Sequence, residues 1–279
     1  MEIINKTFDA ERALYGVRGA VIDSCCFEGS ADGESALKET SNIEINNCKF
    51  KLRYPMWHVS DFTVENSHFY EPSRASVWYA SNGKISNTSV ESIKCLRECN
   101  NIILENVTAV SPEFGWKCRE IKFLDCNITS EYFLFDSRDI SAYNLEMHGK
   151  YSFQYIENLT IENSKLNTKD AFWHSRNITV KDSIVKGEYL GWYSDGLTLI
   201  NCKIIGTQPL CYCKNLTLID CEMIDCDLSF EYSDVTADIK GNITSVKNPK
   251  SGIITADSIG DIILEDSVLS NNCEICVRA

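Results

Sequence analysis

One phrase recurs along this chain at a nearly fixed interval: LTIENSKL at 159–166, ITVKDSIV at 178–185, LTLINCKI at 197–204 and LTLIDCEM at 216–223. The shared frame is apolar-x-apolar-x-Asn/Asp-small-x-apolar. Its Asn/Asp place is held by Asn47, Asn66, Asn87, Asn106, Asp125, Asn144, Asn163, Asp182, Asn201, Asp220 and Asp266, with Ser24 standing in the first copy. From Asn87 to Asp220 every step is 19 residues, and irregular steps such as the 23 from Ser24 to Asn47 lie toward the ends. Self-similarity at such a period marks a solenoid.

Apolar residues alternate over three or four positions and no 3.6-residue period is present, so each copy predicts short strands. Asn and Asp are the side chains best able to take the left-handed backbone of a sharp corner. A unit of this length cannot bury its own apolar face, so copies must stack, each strand pairing in parallel with its copy one coil away. The expected fold is therefore all-β: a single-stranded right-handed parallel β-helix, its hand set by the chirality of parallel crossovers. About 13 coils of roughly 19 residues would make one domain over 1–279, about 60 Å long. Residues 1–19 are expected as an N-terminal cap, 20–235 as regular coils and 236–279 as irregular last coils with a C-terminal cap. Asp9 before AERALYG predicts a short N-capped helix over the first coil. VKNPKSGIITADSIG, with its Pro and Gly, predicts a covering loop at the other end, and GSADGESALKETSN at 29–42 an insertion that lengthens an early coil.

Small residues follow the corner (Cys25, Cys48, Ser67, Cys126, Ser164, Ser183, Cys202, Cys221), and large ones stand two places further on (Phe50, Phe69, Ile128, Met147, Leu166, Ile204, Met223), which predicts alternating small and large interior columns. The Asn/Asp column itself predicts a ladder of side chains bonded from coil to coil. The 14 cysteines are expected as reduced, buried thiols. Neither a secretory leader nor a membrane span is expected from the sequence, which has no run of 18 apolar residues, and no Cys pair has a second pair at zinc spacing. The same features predict a cytoplasmic protein without membrane contact, metal or cofactor. With 27 Lys and Arg against 40 Asp and Glu, the net charge of -13 argues against nucleic acid as partner.

The remaining strand of each coil reads PMWHV, CLREC, FGWKC, FLFDS, SFQYI, AFWHS, LGWYS, LCYC and LSFEY. One column holds Trp57, Trp116, Phe135, Trp173, Trp192 and Phe230. The next holds His58, Glu98, Lys117, Asp136, Tyr155, His174, Tyr193, Tyr212 and Glu231. Charges cannot stack in an apolar interior, so the second column must face water. Strict alternation would then turn the Trp column inward and bring Met56, Leu96, Leu134, Phe153, Phe172 and Leu210 to the outer face. A bend would instead leave the Trp residues as platforms on the surface. Either way one stripe carries aromatics, carboxylates, a lysine and histidines, a mixture suited to an extended glycan or a small-molecule ligand.

Two groupings within the stripe could do chemistry. Asp170 and His174 on one coil face Glu188 and Tyr193 on the next, offering a carboxyl pair for acid catalysis. Glu98, Lys117 and Asp136 share one column, their carboxylates two coils apart, or about 9.6 Å at the backbone, near the spacing of inverting glycosidases. Candidate catalytic residues are thus Asp170, Glu188, His174 and Asp136. Candidate ligand contacts are Lys117, Glu98, Tyr155, Tyr193, Tyr212, Glu231, Phe172, Trp173 and Trp192.

The motifs KDAFW (169–173), GEYLGW (187–192), FEYS (230–233) and SVKNPKSG (245–252), set in this repeat, resemble an uncharacterised bacterial family of right-handed β-helix proteins with pectin-lyase-like architecture. The resemblance implies the fold and a bacterial setting, and carries no activity. The functional expectation is a carbohydrate-active protein, either a glycoside hydrolase or polysaccharide lyase or a noncatalytic glycan-binding module. The alternative is a noncatalytic scaffold, a rigid acidic rod meeting a basic protein partner.

Overall fold

The computed structural model describes residues 1–30 and 33–278. Among them the chain is an all-β, right-handed parallel solenoid of about 14 turns spaced about 19 residues apart. Its one helical element is the 3-10 turn Glu71–Ser73. Among the described residues no helix is long and apolar enough to cross a membrane. Two compact units divide the chain, Met1–Ser141 and Ala142–Ala279.

In the first unit, six-residue strands stack in parallel and in register: Arg18–Asp23, Ser41–Asn46, Ser60–Glu65, Ser81–Ser86, Asn100–Glu105 and Arg119–Leu124. A second row holds Thr7–Phe8, Cys26–Phe27, Lys49–Phe50 and His68–Phe69, whose phenylalanines form a stack with centroids 4.5 to 5.3 Å apart. A third side carries Met56–Trp57, Val77–Trp78, Lys94–Arg97 and Glu113–Trp116. The second unit repeats the first two rows with Glu157–Glu162, Arg176–Lys181 and Asp195–Ile200, and with Glu146–Lys150, Lys165–Lys169, Ile184–Lys186 and Lys203–Ile205.

The corner residues are left-handed as expected, with φ between 48° and 55° from Asn47 to Asp220. Their side chains bond along the stack, Asn106 Nδ2 to Asn87 Oδ1 at 2.7 Å and Asn201 Nδ2 to Asp182 Oδ1 at 2.6 Å. The small column behind them has a physical task. Ser164 accepts the N–H of Leu145 and donates to Glu162 O, while Ser183 accepts the N–H of Ser164 and donates to Lys181 O. Cys48 and Ser67 take the same place, receiving the N–H of Cys25 and Cys48 at 3.4 and 3.0 Å. A hydroxyl or thiol thus satisfies a buried N–H that the corner diverts from the ladder, which explains why Ser and Cys interchange here. All 14 cysteines are free, and burial pushes the Cys48 and Cys95 thiols up to about 12.

Side-chain size also varies in complement between neighbouring coils. A Cβ on Gly83 would enter the Phe62 ring, one on Gly115 would come within 2.6 Å of Leu134 Cδ2, and one on Gly191 within 2.9 Å of Leu210 Cδ2.

Both expected caps take another form. Residues 9–16 are not a helix: the N–H groups of Leu14 and Gly16 bond to Ala36 O and Lys38 O at 2.8 and 3.0 Å, so the segment is wall of a coil. The apolar Leu14 is better satisfied against the next coil than in an isolated turn of helix. At the other end, the segment expected as a loop is largely the strand Ser251–Ile263, paired with Asp234–Lys247 on one side and Asn272–Val277 on the other. The alternating pattern of GIITADSI outweighs its Pro and Gly neighbours. The expected insertion at 29–42 includes residues 31 and 32, which lie outside the described residues.

Candidate functional site

The aromatic-rich side turns on two left-handed residues placed two apart. At FLFDS, Leu134 has φ 57° and Asp136 has φ 53°; at AFWHS, Phe172 has φ 62° and His174 has φ 54°. Alternation holds only for extended backbone, so it fails here. Met56, Leu96, Leu134, Phe153, Phe172 and Leu210 are wholly buried, whereas Trp57, Trp116, Trp173 and Trp192 are half-buried at the surface. The Trp column therefore does not face the core, and Phe172, at 1% exposure, is no ligand contact.

The outer corner column stands as expected for Glu98, Lys117 and Asp136 in the first unit. The N–H of Glu98 bonds to Trp116 O and that of Lys117 to Phe135 O, both at 2.9 Å, and all three side chains are exposed. In the second unit the same corner is a ladder of rings. Tyr155 and His174 stack at 5.1 Å and 11°, His174 and Tyr193 at 5.0 Å and 6°, Tyr193 and Tyr212 at 4.8 Å and 15°. Tyr232 continues it, tilted at 47° and 5.7 Å. Glu231 does not belong to this column: Phe230 is buried, Tyr232 takes the outer corner, and Glu231 pairs with Lys247 at 2.9 Å. The one-residue slip follows from Phe230, whose φ of 67° places it with the buried Leu210. A small residue following the outer residue (Cys99, Cys118, Ser137, Ser175, Ser194, Cys213, Ser233) repeats the signature of the Asn corner and would have fixed this alignment from sequence.

Behind the ladder, Trp173 and Trp192 stack at 5.4 Å and 5°, and their indole N–H groups donate to Tyr189 O and Gln208 O. The rings of both stacks lie face to face, so they are not open platforms. What solvent meets is their edges: phenol hydroxyls and an imidazole, with Tyr155 51% and Tyr193 46% exposed.

The carboxyl pair is not assembled as expected. The N–H of Asp170 bonds to Glu188 O at 2.9 Å, which offsets the two by one residue, and Glu188 forms an ion pair with Lys169 at 2.9 Å. Asp170 is 6% exposed, with φ 54°. Burial raises its carboxyl above the usual aspartate range and Glu188 adds to the rise, while Lys169 opposes it. A raised folded-state value means that Asp170 favours folding below the unfolded carboxyl range, a contribution lost as pH rises through the folded value. Asp170→Asn should therefore melt higher than wild type at neutral pH and close to it in acid. Thermal melts across pH check this, and an unchanged difference between wild type and variant at all pH values would refute it. Among the described residues, no group of three or more His, Cys, Asp or Glu side chains is placed to hold a metal.

Fold and corner ladder together define a right-handed parallel β-helix with a solvent-facing stack of polar-edged rings. The chain belongs to the family described as protein of unknown function DUF3737, whose model matches residues 1–276. No curated protein matches it. Among solved structures, it is similar to the A-modules of two mannuronan C-5 epimerases of Azotobacter vinelandii. One is 10% identical with a TM-score of 0.31, covering 99% of this chain and 86% of that one; the other is 12% identical with a TM-score of 0.33, covering 99% and 88%. A pentapeptide repeat protein involved in heterocyst differentiation regulation, from the cyanobacterium Nostoc, is 9% identical with a TM-score of 0.23, covering 79% of this chain and 91% of that one. At these scores the likenesses do not bear on function.

Proposed function

We propose that the protein binds a glycan along the ring ladder of its second unit, without cleaving it. The observation that supports this reading is the near-constant spacing of Tyr155, His174, Tyr193 and Tyr212, about 5 Å from ring to ring. Hydroxyls and an imidazole repeat at that interval on a rigid wall, a pre-organised row of hydrogen-bonding groups for a chain whose own hydroxyls repeat. Turnover is not part of the reading, because Glu188 is tied to Lys169 and offset from Asp170.

Titration with a panel of neutral and uronate-containing oligosaccharides, followed by calorimetry, tests the reading. Tyr193→Phe removes one hydroxyl and leaves the stack, so it should weaken binding roughly three- to tenfold. His174→Ala opens the ladder and should weaken it further. If no saccharide binds, or both variants bind as wild type does, the reading fails; a basic protein partner would then be the next to test.

A further inference from the structure

Separate from the ladder, the first unit holds a cavity of about 470 Å³ whose lining includes Lys51, Leu52, Arg53, Glu71, Pro72 and Arg74. In a chain of net charge -13, three of these side chains are cationic and one is acidic. Each cation is fixed by the coil that carries it. The N–H of Lys51 bonds to Phe27 O at 2.8 Å, its Nζ meets Glu28 at 2.7 Å and lies 5.4 Å from the centre of the Tyr70 ring. Arg53 accepts the N–H of Ser35 at its carbonyl and meets Glu34 at 3.0 Å. On the next coil the turn Glu71–Ser73, which carries Pro72 at its second position, is followed by Arg74, whose N–H closes back on Glu71 O at 3.2 Å. Among the described residues no carboxylate lies within ion-pair distance of the Arg74 guanidinium.

The same stretch carries a surplus donor. Ser73, between two lining residues, is wholly buried, and its hydroxyl has no partner among the described residues. The volume exceeds what a bare ion needs and falls within the range of small-molecule sites.

We propose that this cavity binds a small organic anion, its phosphate or carboxylate held by Arg74 with Lys51 and Arg53, and its body resting on Leu52 and Pro72. Guanidinium and ammonium groups together suit either oxyanion. Partial exposure of the pairs makes binding weaken as salt rises.

The full chain is titrated with glucose 6-phosphate, glucuronate and glucose, followed by calorimetry. At least one anionic sugar should bind saturably and glucose should not; which anion binds more tightly identifies phosphate or carboxylate as the group recognised. Arg74→Gln should weaken that binding about tenfold, Arg74→Lys less, and Lys51→Gln measurably. Circular dichroism melts establish which variants fold, and if Arg74→Gln does not, Lys51→Gln decides. Failure of both anionic sugars to bind, equal binding of glucose, or wild-type affinity in the folded charge variants would overturn the proposal.

Discussion

Phe172→Ala is expected to cost about 3–5 kcal/mol, the range for truncating a buried aromatic. Phe172 is 1% exposed and stacks on Phe153 at 5.0 Å and 9°. Removing the ring leaves a cavity in a column whose members are held by backbone bonds one coil away, such as the Phe172 N–H to Ser152 O at 3.0 Å, so the coils cannot close over it. The exposed neighbour gives the contrast: Tyr193→Ala removes a half-exposed ring and should cost less than a third as much. Urea unfolding of the two variants decides whether this corner has the inside and outside described above. Equal losses would mean that it does not.

Gly191→Val should be comparably damaging, for two reasons that an experiment can separate. With φ at 75°, Gly191 occupies a region where a β-branched residue is an outlier, a strain of about 1–3 kcal/mol. An added Cβ would also lie 2.9 Å from Leu210 Cδ2 and 3.1 Å from Leu197 Cδ2, so overpacking adds about 1–3 kcal/mol. Leu210→Ala in the same chain should relieve the larger part of the second cost, leaving the contact with Leu197 and none of the first cost relieved, which gives a favourable coupling in a double-mutant cycle. A Gly191→Val protein that melts with wild type would contradict both arguments.

The period was legible because it depends on one backbone requirement, a left-handed residue that Asn and Asp meet. Stacking, parallel pairing and the interior small and large columns then follow without tertiary information. On the aromatic side, hydrophobicity and alternation do not decide between a Trp column turned inward and a bend that leaves it at the surface, and the backbone takes the bend. Side chains such as Leu134, Phe153 and Phe172 are not associated with positive φ, yet each has it here, held by burial rather than by its own preference. The offset of the carboxyl pair, by contrast, is written in the spacing: Lys169 stands 19 residues before Glu188 and Asp170 only 18, so the period itself sets Lys169 beside Glu188. The repeat does not signal the cationic cavity, because its three cations, Lys51, Arg53 and Arg74, come from two coils that differ from the consensus.

A chain built from near-copies faces a problem that an ordinary domain does not: each segment can dock almost as well on the wrong neighbour, winding one period out of step. Asparagine corners and threonine strands do not discourage that error, because they are alike in many coils. The glycine under Phe62, the glycine under Leu134 and the glycine under Leu210 do. Each of these large side chains fills the room its neighbouring glycine leaves, and a slip of one period would give up that fit.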